Sequence, residues 1–459
     1  MAADATSPTA VPETSRHDVA VVGAGLAGLA ACIYLRRAGL QVVCIEPDRF
    51  PHARVGESCD WSTPALLDSL GLSRDQLVRD DVGTYKRNIR IVSLGKRPFF
   101  GEPHEWFARK PLRFELTTLH VDRAQFDQRL FDVADALDTC FVWDRVSGVE
   151  VEDDRIVAVT TPGGRRVTAR WFIDASGQAR VLGRALGIPT LEYGERKVCI
   201  WTYFKEPPSN EGTTFYGDNA EAYLSWIWEI PTSSSELSIG WILAASRFRE
   251  RRATGQPVDE MLREELAKHP RFAKVLAGER ESHAQTQTCS YRSYVSRRVC
   301  GANWLMAGEA ASLPDPLTAN GMTAAFRHAR EAAGRIQDAF AAGSLSRGQQ
   351  RMYSSHVRRM GHAFNHAVER AAYQPSMRWG LGENGALWVY TIFSYTINAL
   401  YSRREPRTRP GTWVFSALLV FVQVWIDIWS LVARMLVARR GVFRADRDPA
   451  VRPSALSSQ

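Results

Sequence analysis

A short apolar run predicts a buried strand over 18–22. Apolar positions at helical spacing then predict a helix over 26–38, and a second run predicts a strand over 41–45 ending at Glu46. Strands covered on both faces read as continuous apolar runs, so these two belong inside a sheet. The three elements make one compact βαβ unit. The pattern then changes. Between 86 and 120 and between 190 and 300, short strand-like runs are separated by Pro, Gly and Ser. Residues 156–167 predict a hairpin turning at Pro162, Gly163 and Gly164, and 171–177 predict another strand running into a glycine turn. From about 318 onward the periodicity is helical. No internal repeat is visible.

Near the end, 386–400 and 413–433 are long apolar stretches separated by Arg403, Arg404, Arg407 and Arg409. Within the second, Ser416, Gln423, Asp427, Ser430 and Arg434 follow one another at spacings of 7, 4, 3 and 4, a single narrow polar stripe. A membrane-crossing helix needs ~20 apolar residues, and a stripe containing Asp427 suits one poorly. Packing on protein, self-association or a position in a lipid interface fits the stripe better.

Composition narrows the classes. A chain of 459 residues has room for two or three domains, and 45% hydrophobic with 24% charged residues excludes general disorder. The net charge is +8, but only seven of the 58 basic residues are Lys. So strong an Arg bias reads as base composition, and no nucleic-acid partner is expected. The seven Cys are dispersed, with no C-x-x-C pair and no Cys/His grouping, which points to a reducing compartment without a disulfide framework or metal site. Residues 1–16 lack an apolar signal core and read as a disordered tail, so a cytoplasmic protein is expected.

The chemistry begins at 23–28, G-A-G-L-A-G. Gly23 allows the tight turn after the strand, Gly25 lets backbone approach a pyrophosphate, and Gly28 lets helix and strand pack closely. The helix N-terminus opened by Leu26 and Ala27 favours the anion. Glu46, at the end of the second strand, is placed to accept from ribose hydroxyls. Two later motifs extend the site: F-I-D-A-S-G at 172–177, with Asp174, and A-G-E-A-A-S-L-P-D-P-L-T-A-N-G-M-T-A-A-F at 307–326, with Gly308, Glu309, Pro316, Gly321 and Met322. The second is a glycine turn leading into a helix, suited to the flavin end of a long cofactor.

With these motifs in this order, residues 17–340 resemble the FAD-binding fold shared by aromatic hydroxylases, geranylgeranyl reductases and flavin-dependent halogenases. R-V-G-E-S at 54–58 and H-V-D-R-A-Q-F-D at 120–127 match as well. The resemblance implies FAD contacts from Arg54, Gly56 and Arg123 in addition to the residues above. It also implies the fold: α/β (α+β overall), with a Rossmann-like FAD-binding domain over 17–85, 120–185 and 298–340. A β-rich substrate domain would take 86–119 and 186–297, and a helical region 341–459.

Within that group, W-I-W-E-I-P at 226–231 is similar to the W-x-W-x-I-P signature of the halogenases, although reductases carry a related stretch. Trp226 and Trp228 share one strand face and can wall a channel or fill a core. Residues 83–86, G-T-Y-K, resemble the halogenase segment that bears a catalytic lysine. In that family the lysine hydrogen-bonds hypohalous acid or carries the halogen itself, and the resemblance gives Lys86 that relay, with Trp226 and Trp228 beside it. Ala319-Asn320-Gly321 replaces the usual Ser-Thr-Gly or Ser-Ser-Gly, and backbone N–H groups at Asn320 and Gly321 would hold halide. Glu309 replaces the usual Asp. Thr318 stands where tryptophan halogenases carry an acidic residue, and Trp201-Thr202-Tyr203-Phe204 looks more like halogenases of phenols, pyrroles and carrier-bound acyl groups.

The expectation is an FAD-dependent halogenase. It would use FADH2 from a separate flavin reductase, oxygen, and chloride or bromide, on an electron-rich aromatic or carrier-bound substrate. Self-association or peripheral membrane contact would run through 386–440. A hydroxylase or epoxidase, or a prenyl-lipid reductase acting on a lipophilic substrate, is the alternative, and P-L-T-A-N-G-M-T resembles the latter classes. A flavin-bound assembly partner is the non-enzyme reading.

Overall fold

A computed structural model describes residues 16–49, 54–94, 99–101, 105, 117–218, 223–277, 285–374 and 409–439. Residues 1–15 of the predicted N-terminal tail, the apolar stretch 386–400, and Arg403, Arg404 and Arg407 lie outside the described residues, and Arg16, the last residue of that tail, already begins a strand.

Two large sheets dominate. The first runs in the order Cys140–Trp143, Val42–Glu46, Arg16–Val22, Arg166–Asp174, Arg155–Thr160, Gly148–Glu152, and Trp304–Met306 also pairs with Arg166–Asp174. Its central pairs are parallel, with Val22 opposite both Ile45 and Asp174, and Asp174 opposite Met306. Cys140–Trp143 is parallel to Val42–Glu46 as well, so five strands end at one edge, where an open α/β sheet offers its ligand crevice. Helix Leu26–Arg37 crosses between the first two strands and buries nearly all of its residues. The predicted strand 171–177 is not separate. It is the second half of Arg166–Asp174, whose first half forms the predicted hairpin with Arg155–Thr160.

The second sheet runs Gln287–Tyr291, Lys197–Phe204, Leu237–Ala244, Ser225–Pro231, Gly212–Asp218, Asn88–Leu94, Phe99–Gly101. Side chains alternate between its faces. Ile200, Ile227, Ile239 and Trp241 pack with Met261, Leu262, Leu266 and Phe272 from helices Val258–Ala267 and Pro270–Ala277. These helices, and Ala245–Ala253 before them, interrupt a region read as strands alone. Trp201, Trp226 and Trp228 face the other way, onto Leu313, Val368 and Tyr373. This second face looks toward the cofactor-motif segments.

A two-stranded ribbon, Gly83–Lys86 with Thr118–Val121, bridges the two bodies. Helices Gly321–Ala342 and Arg347–Val368 follow, and the latter widens into a π-helical turn at Glu369–Tyr373. The last described helix, Arg409–Arg439, lies along Arg347–Val368, with Ile426, Ser430 and Ala433 buried and Asp427 and Arg434 at the exposed margin. Gln423 Nε2 meets His362 Nε2 at 2.6 Å, Asp427 Oδ1 meets His366 Nε2 at 2.8 Å, and Ser430 is buried. Val420, Phe421, Val424, Ile428, Leu431 and Met435 face outward, Phe421 at 66% exposure. Among the described residues, no helix is long and apolar enough to cross a membrane.

Candidate active site

The glycine turn is shaped as its sequence demands. Gly23 has φ +98°, and a Cβ there would meet the Ala175 carbonyl, while a Cβ on Gly28 would run into Gly23 O. A Cβ on Gly25 would lie 3.2 Å from Arg54 Nη1, so bulk at this position enters the space between the turn and that guanidinium. Glu46 is buried. Its Oε2 accepts from Ala24 N at 2.6 Å, and its Oε1 lies 3.8 Å from Arg54 Nη2. A carboxylate, a cation and the unpaired N–H groups of a helix start thus converge on one cradle, a donor and acceptor set that fits an adenosine pyrophosphate. Leu26 and Ala27 are buried in the first helical turn, and Gly308 approaches so closely that a Cβ would sit 2.8 Å from Ala27 Cβ.

Arg123 is not a solvated helix-start residue. It forms a bidentate pair with Asp127, both contacts at 2.9 Å, and Nη1 donates to Val55 O at 3.0 Å and Gly56 O at 3.2 Å. It thereby fastens the R-V-G-E-S segment, in which Gly56 has φ +106°. Asp174 acts within its own turn, where its oxygens accept from Ser176 N, Ser176 Oγ and Gly183 N. Burial pushes the Glu309 carboxyl upward, against the pull of Arg123 and Arg54.

At the flavin end, Asp315 builds the turn. Its Oδ1 accepts from Leu317 N at 3.1 Å, and Thr318 Oγ1 donates to Asp315 O at 2.8 Å. The turn Pro316–Thr318 leads through Ala319, at φ +51°, to Asn320 and the helix starting at Gly321. Asn320 is buried, its Oδ1 has no partner among the described residues, and a Cβ on Gly321 would meet nothing within 4 Å. Open space therefore lies before the helix N-terminus at Gly321, as a flavin edge or a small anion requires, while Asn320 N already donates to Thr318 Oγ1 at 3.3 Å. Met322 packs behind, its Sδ 3.8 Å from Cys59 Sγ.

Lys86 ends its strand 1% exposed. Its Nζ donates to Ser58 Oγ at 2.8 Å and Cys59 O at 3.1 Å, and lies 5.2 Å from the Trp61 ring centre. Burial lowers its pKa to about 8, with Cys59 and Asp60 opposing the shift in part. The same burial, with the Lys86 charge, drives His120 well below the usual imidazole range. His120 Nε2 shares a 2.8 Å hydrogen bond with Thr213 Oγ1, which sits 3.4 Å from Ser58 Oγ. The lysine thus heads a polar chain inside the protein.

Trp226 and Trp228 do share a face, their rings 6.1 Å apart, and both indole N–H groups are used internally. Trp228 Nε1 donates to Ser238 Oγ at 3.0 Å, and Ser238 donates to Glu57 Oε1 at 3.2 Å. Tyr203 donates to the same oxygen at 3.0 Å. Trp226 Nε1 donates to Tyr373 Oη at 2.9 Å, and Tyr373 donates to Asp315 Oδ1 at 2.9 Å. One tryptophan is thus tied to R-V-G-E-S, the other to the flavin-end turn. Glu57, whose pKa burial raises, lay unassigned inside a quoted motif. The sequence reading also missed Lys197, 1% exposed and 3.2 Å from Asp315 Oδ2. Its only advance signal was the rarity of lysine.

The family model described as tryptophan halogenase matches residues 18–108 and 108–378. The tryptophan 2-halogenase of Chondromyces crocatus is 28% identical over an alignment of 376 positions that covers 75% of this chain and 66% of that longer one. The 1H-pyrrole-2-carbonyl-[peptidyl-carrier protein] chlorinase of Pseudomonas fluorescens is 24% identical over an alignment of 364 positions that covers 74% of this chain and 80% of the relative. In fold, the crystal structure of halogenase PltM in complex with phloroglucinol and FAD superposes with a TM-score of 0.68 at 15% identity, covering 93% of this chain and 96% of the other.

Proposed function

Because this chain belongs to the tryptophan halogenase family of flavin-dependent enzymes, we propose that it halogenates an electron-rich aromatic ring, free or carrier-bound, with Lys86 delivering the halogen. The observation that carries this reading is Lys86 itself: a fully buried amine beside the R-V-G-E-S segment, with only neutral hydrogen-bond acceptors at its Nζ. Bound FAD, in its reduced form and with oxygen, supplies the oxidising power that turns chloride or bromide into hypohalous acid.

The protein's residues do the rest. Gly23, Gly25, Gly28, Glu46 and Arg54 hold the nucleotide end. Arg123 fixes the segment that carries Gly56 and Ser58. The N–H group at Gly321 receives halide, and the one at Asn320 is shared with Thr318 Oγ1. Two of the three Lys86 N–H bonds are directed at Ser58 and Cys59, leaving one to donate to the oxygen of hypohalous acid. That donation makes hydroxide a better leaving group as the ring takes the halogen, and the low-polarity surroundings strengthen it. The carrier-bound alternative draws support from the Pseudomonas chlorinase, whose substrate is a carrier-bound pyrrole. Reduced flavin would come from a separate reductase. The outward apolar face of Arg409–Arg439 supports self-association or peripheral lipid contact.

The test is product mass. The protein is supplied with FAD, a flavin reductase, NADH, chloride or bromide, and a panel of phenols and free or carrier-linked pyrroles. A halogen isotope pattern in the product is expected. One added oxygen would instead assign a monooxygenase, and two added hydrogens a prenyl-lipid reductase.

A further inference from the structure

We infer that Lys197 is a positioning residue for the halide-receiving loop, acting through Asp315 and Tyr373; this rests on the halogenase reading above. Lys197 begins the strand Lys197–Phe204 of the second sheet. Its Nζ lies 3.2 Å from Asp315 Oδ2 and 3.9 Å from Glu369 Oε2, and 4.2 Å above the Tyr373 ring. Tyr223 and Tyr291 complete an aromatic enclosure at 5.6 and 5.7 Å. One ammonium therefore joins three elements: a sheet strand, the turn leading to Asn320-Gly321, and the end of helix Arg347–Val368.

Stability alone does not ask for this arrangement. A buried ion pair is matched or exceeded by well-packed apolar side chains of similar volume. What apolar packing lacks is direction. Asp315 uses Oδ2 for Lys197 while Oδ1 holds both Leu317 N and Tyr373 Oη, so the ammonium fixes how the turn is oriented. The π-helical turn at 369–373 brings Glu369 and Tyr373 to the same charge, and such turns recur at functional sites. Through Tyr373 the restraint also reaches Trp226, so the loop and the tryptophan face hold one relative position. Loosening it would let the Asn320 and Gly321 N–H groups drift from the halide position. Flavin would still be reoxidised, and the oxygen would escape as hydrogen peroxide.

Three variants test this: Tyr373→Phe, Glu369→Gln and Lys197→Met. Two measurements are made on each: amide exchange of the 315–321 peptide in the flavin-free protein, and peroxide released per halogenated product. Loss of one hydrogen bond to a buried carboxylate should speed exchange in 315–321 about tenfold in Tyr373→Phe. Peroxide per product should rise by a similar factor at saturating FAD, and FAD affinity should fall far less than product formation because the nucleotide cradle is remote from the loosened turn. Lys197→Met should show the same signature more strongly; if it does not fold, the other two decide. Wild-type exchange or a wild-type peroxide yield in both Tyr373→Phe and Glu369→Gln would overturn the inference. So would FAD affinity falling in step with product, which marks a general packing defect. If wild type halogenates nothing in the panel, the functional reading fails, and the exchange measurement still decides whether the ammonium holds the loop.

Discussion

Lys86 and Lys197 are equally buried and differ in everything else. Lys86 faces a hydroxyl and a carbonyl, and burial pulls its pKa down to about 8. Lys197 faces a carboxylate at 3.2 Å inside three tyrosine rings. The first is a charge the fold tolerates at a cost, the second a charge the fold uses. Burial alone therefore does not mark a reactive lysine. Its partners matter too: with no carboxylate at the Lys86 Nζ, burial outweighs the opposing pull of Cys59 and Asp60 and loosens the proton there.

The widest separation should be in product formation. Lys86→Met keeps the stem and removes every donor, and should lower halogenation by about 10²–10⁴-fold, the usual worth of a positioned proton donor. FAD binding should be unchanged by titration of flavin fluorescence; near wild-type halogenation would erase the distinction between the two lysines. Next in size is stability. Lys197→Met leaves Asp315 buried without its cation and should cost about 3–5 kcal/mol in chemical denaturation. Adding Asp315→Asn should recover part of that loss, since removing both charges avoids an unpaired one.

A third test is pH. If the ammonium is the working form, halogenation should hold below pH 8 and fall up to tenfold per unit above it. A rate that climbs through pH 8 would assign the neutral amine instead. The smallest effect has the opposite sign to the Lys197 loss. Lowering the Lys86 pKa from 10.5 to about 8 corresponds to a penalty of about 3 kcal/mol. Leaving Ser58 and Cys59 unpaired would return much of it, so Lys86→Met should gain about 1 kcal/mol near pH 7. Between pH 8 and 10.5 the unfolded chain binds a proton that the folded chain does not, so wild-type stability rises with pH through that window. The advantage of the variant should shrink accordingly in thermal melts at rising pH.

These contrasts also show what the sequence could reveal. The glycine turn was legible because each glycine answers a local steric demand. Lys86 was legible through its motif, and the shared face of the two tryptophans follows from strand alternation. The pairing of Lys197 with Asp315 was not, because two residues distant in sequence meet only once both sheets and the flavin-end turn are in place. Helix Val258–Ala267 carries Met261, Leu262, Leu266 at helical spacing, and was passed over among flanking Pro and Gly breaks. The stripe of Gln423, Asp427 and Ser430 was read correctly as a stripe. Periodicity gives the angular width of a polar face but not which neighbour it meets, and here it meets His362 and His366.

The exposed apolar face makes the helix Arg409–Arg439 a built-in retention tag. With Phe421, Val424 and Ile428 turned to solvent, the protein presents to a phenyl-substituted resin the surface such resins select. Binding should strengthen in ammonium sulfate, because excluded salts favour burial of apolar area, and weaken in the cold, where apolar hydration costs less. The salt cut that precipitates the protein, and the temperature at which a column is run, then depend on the outward side of one helix.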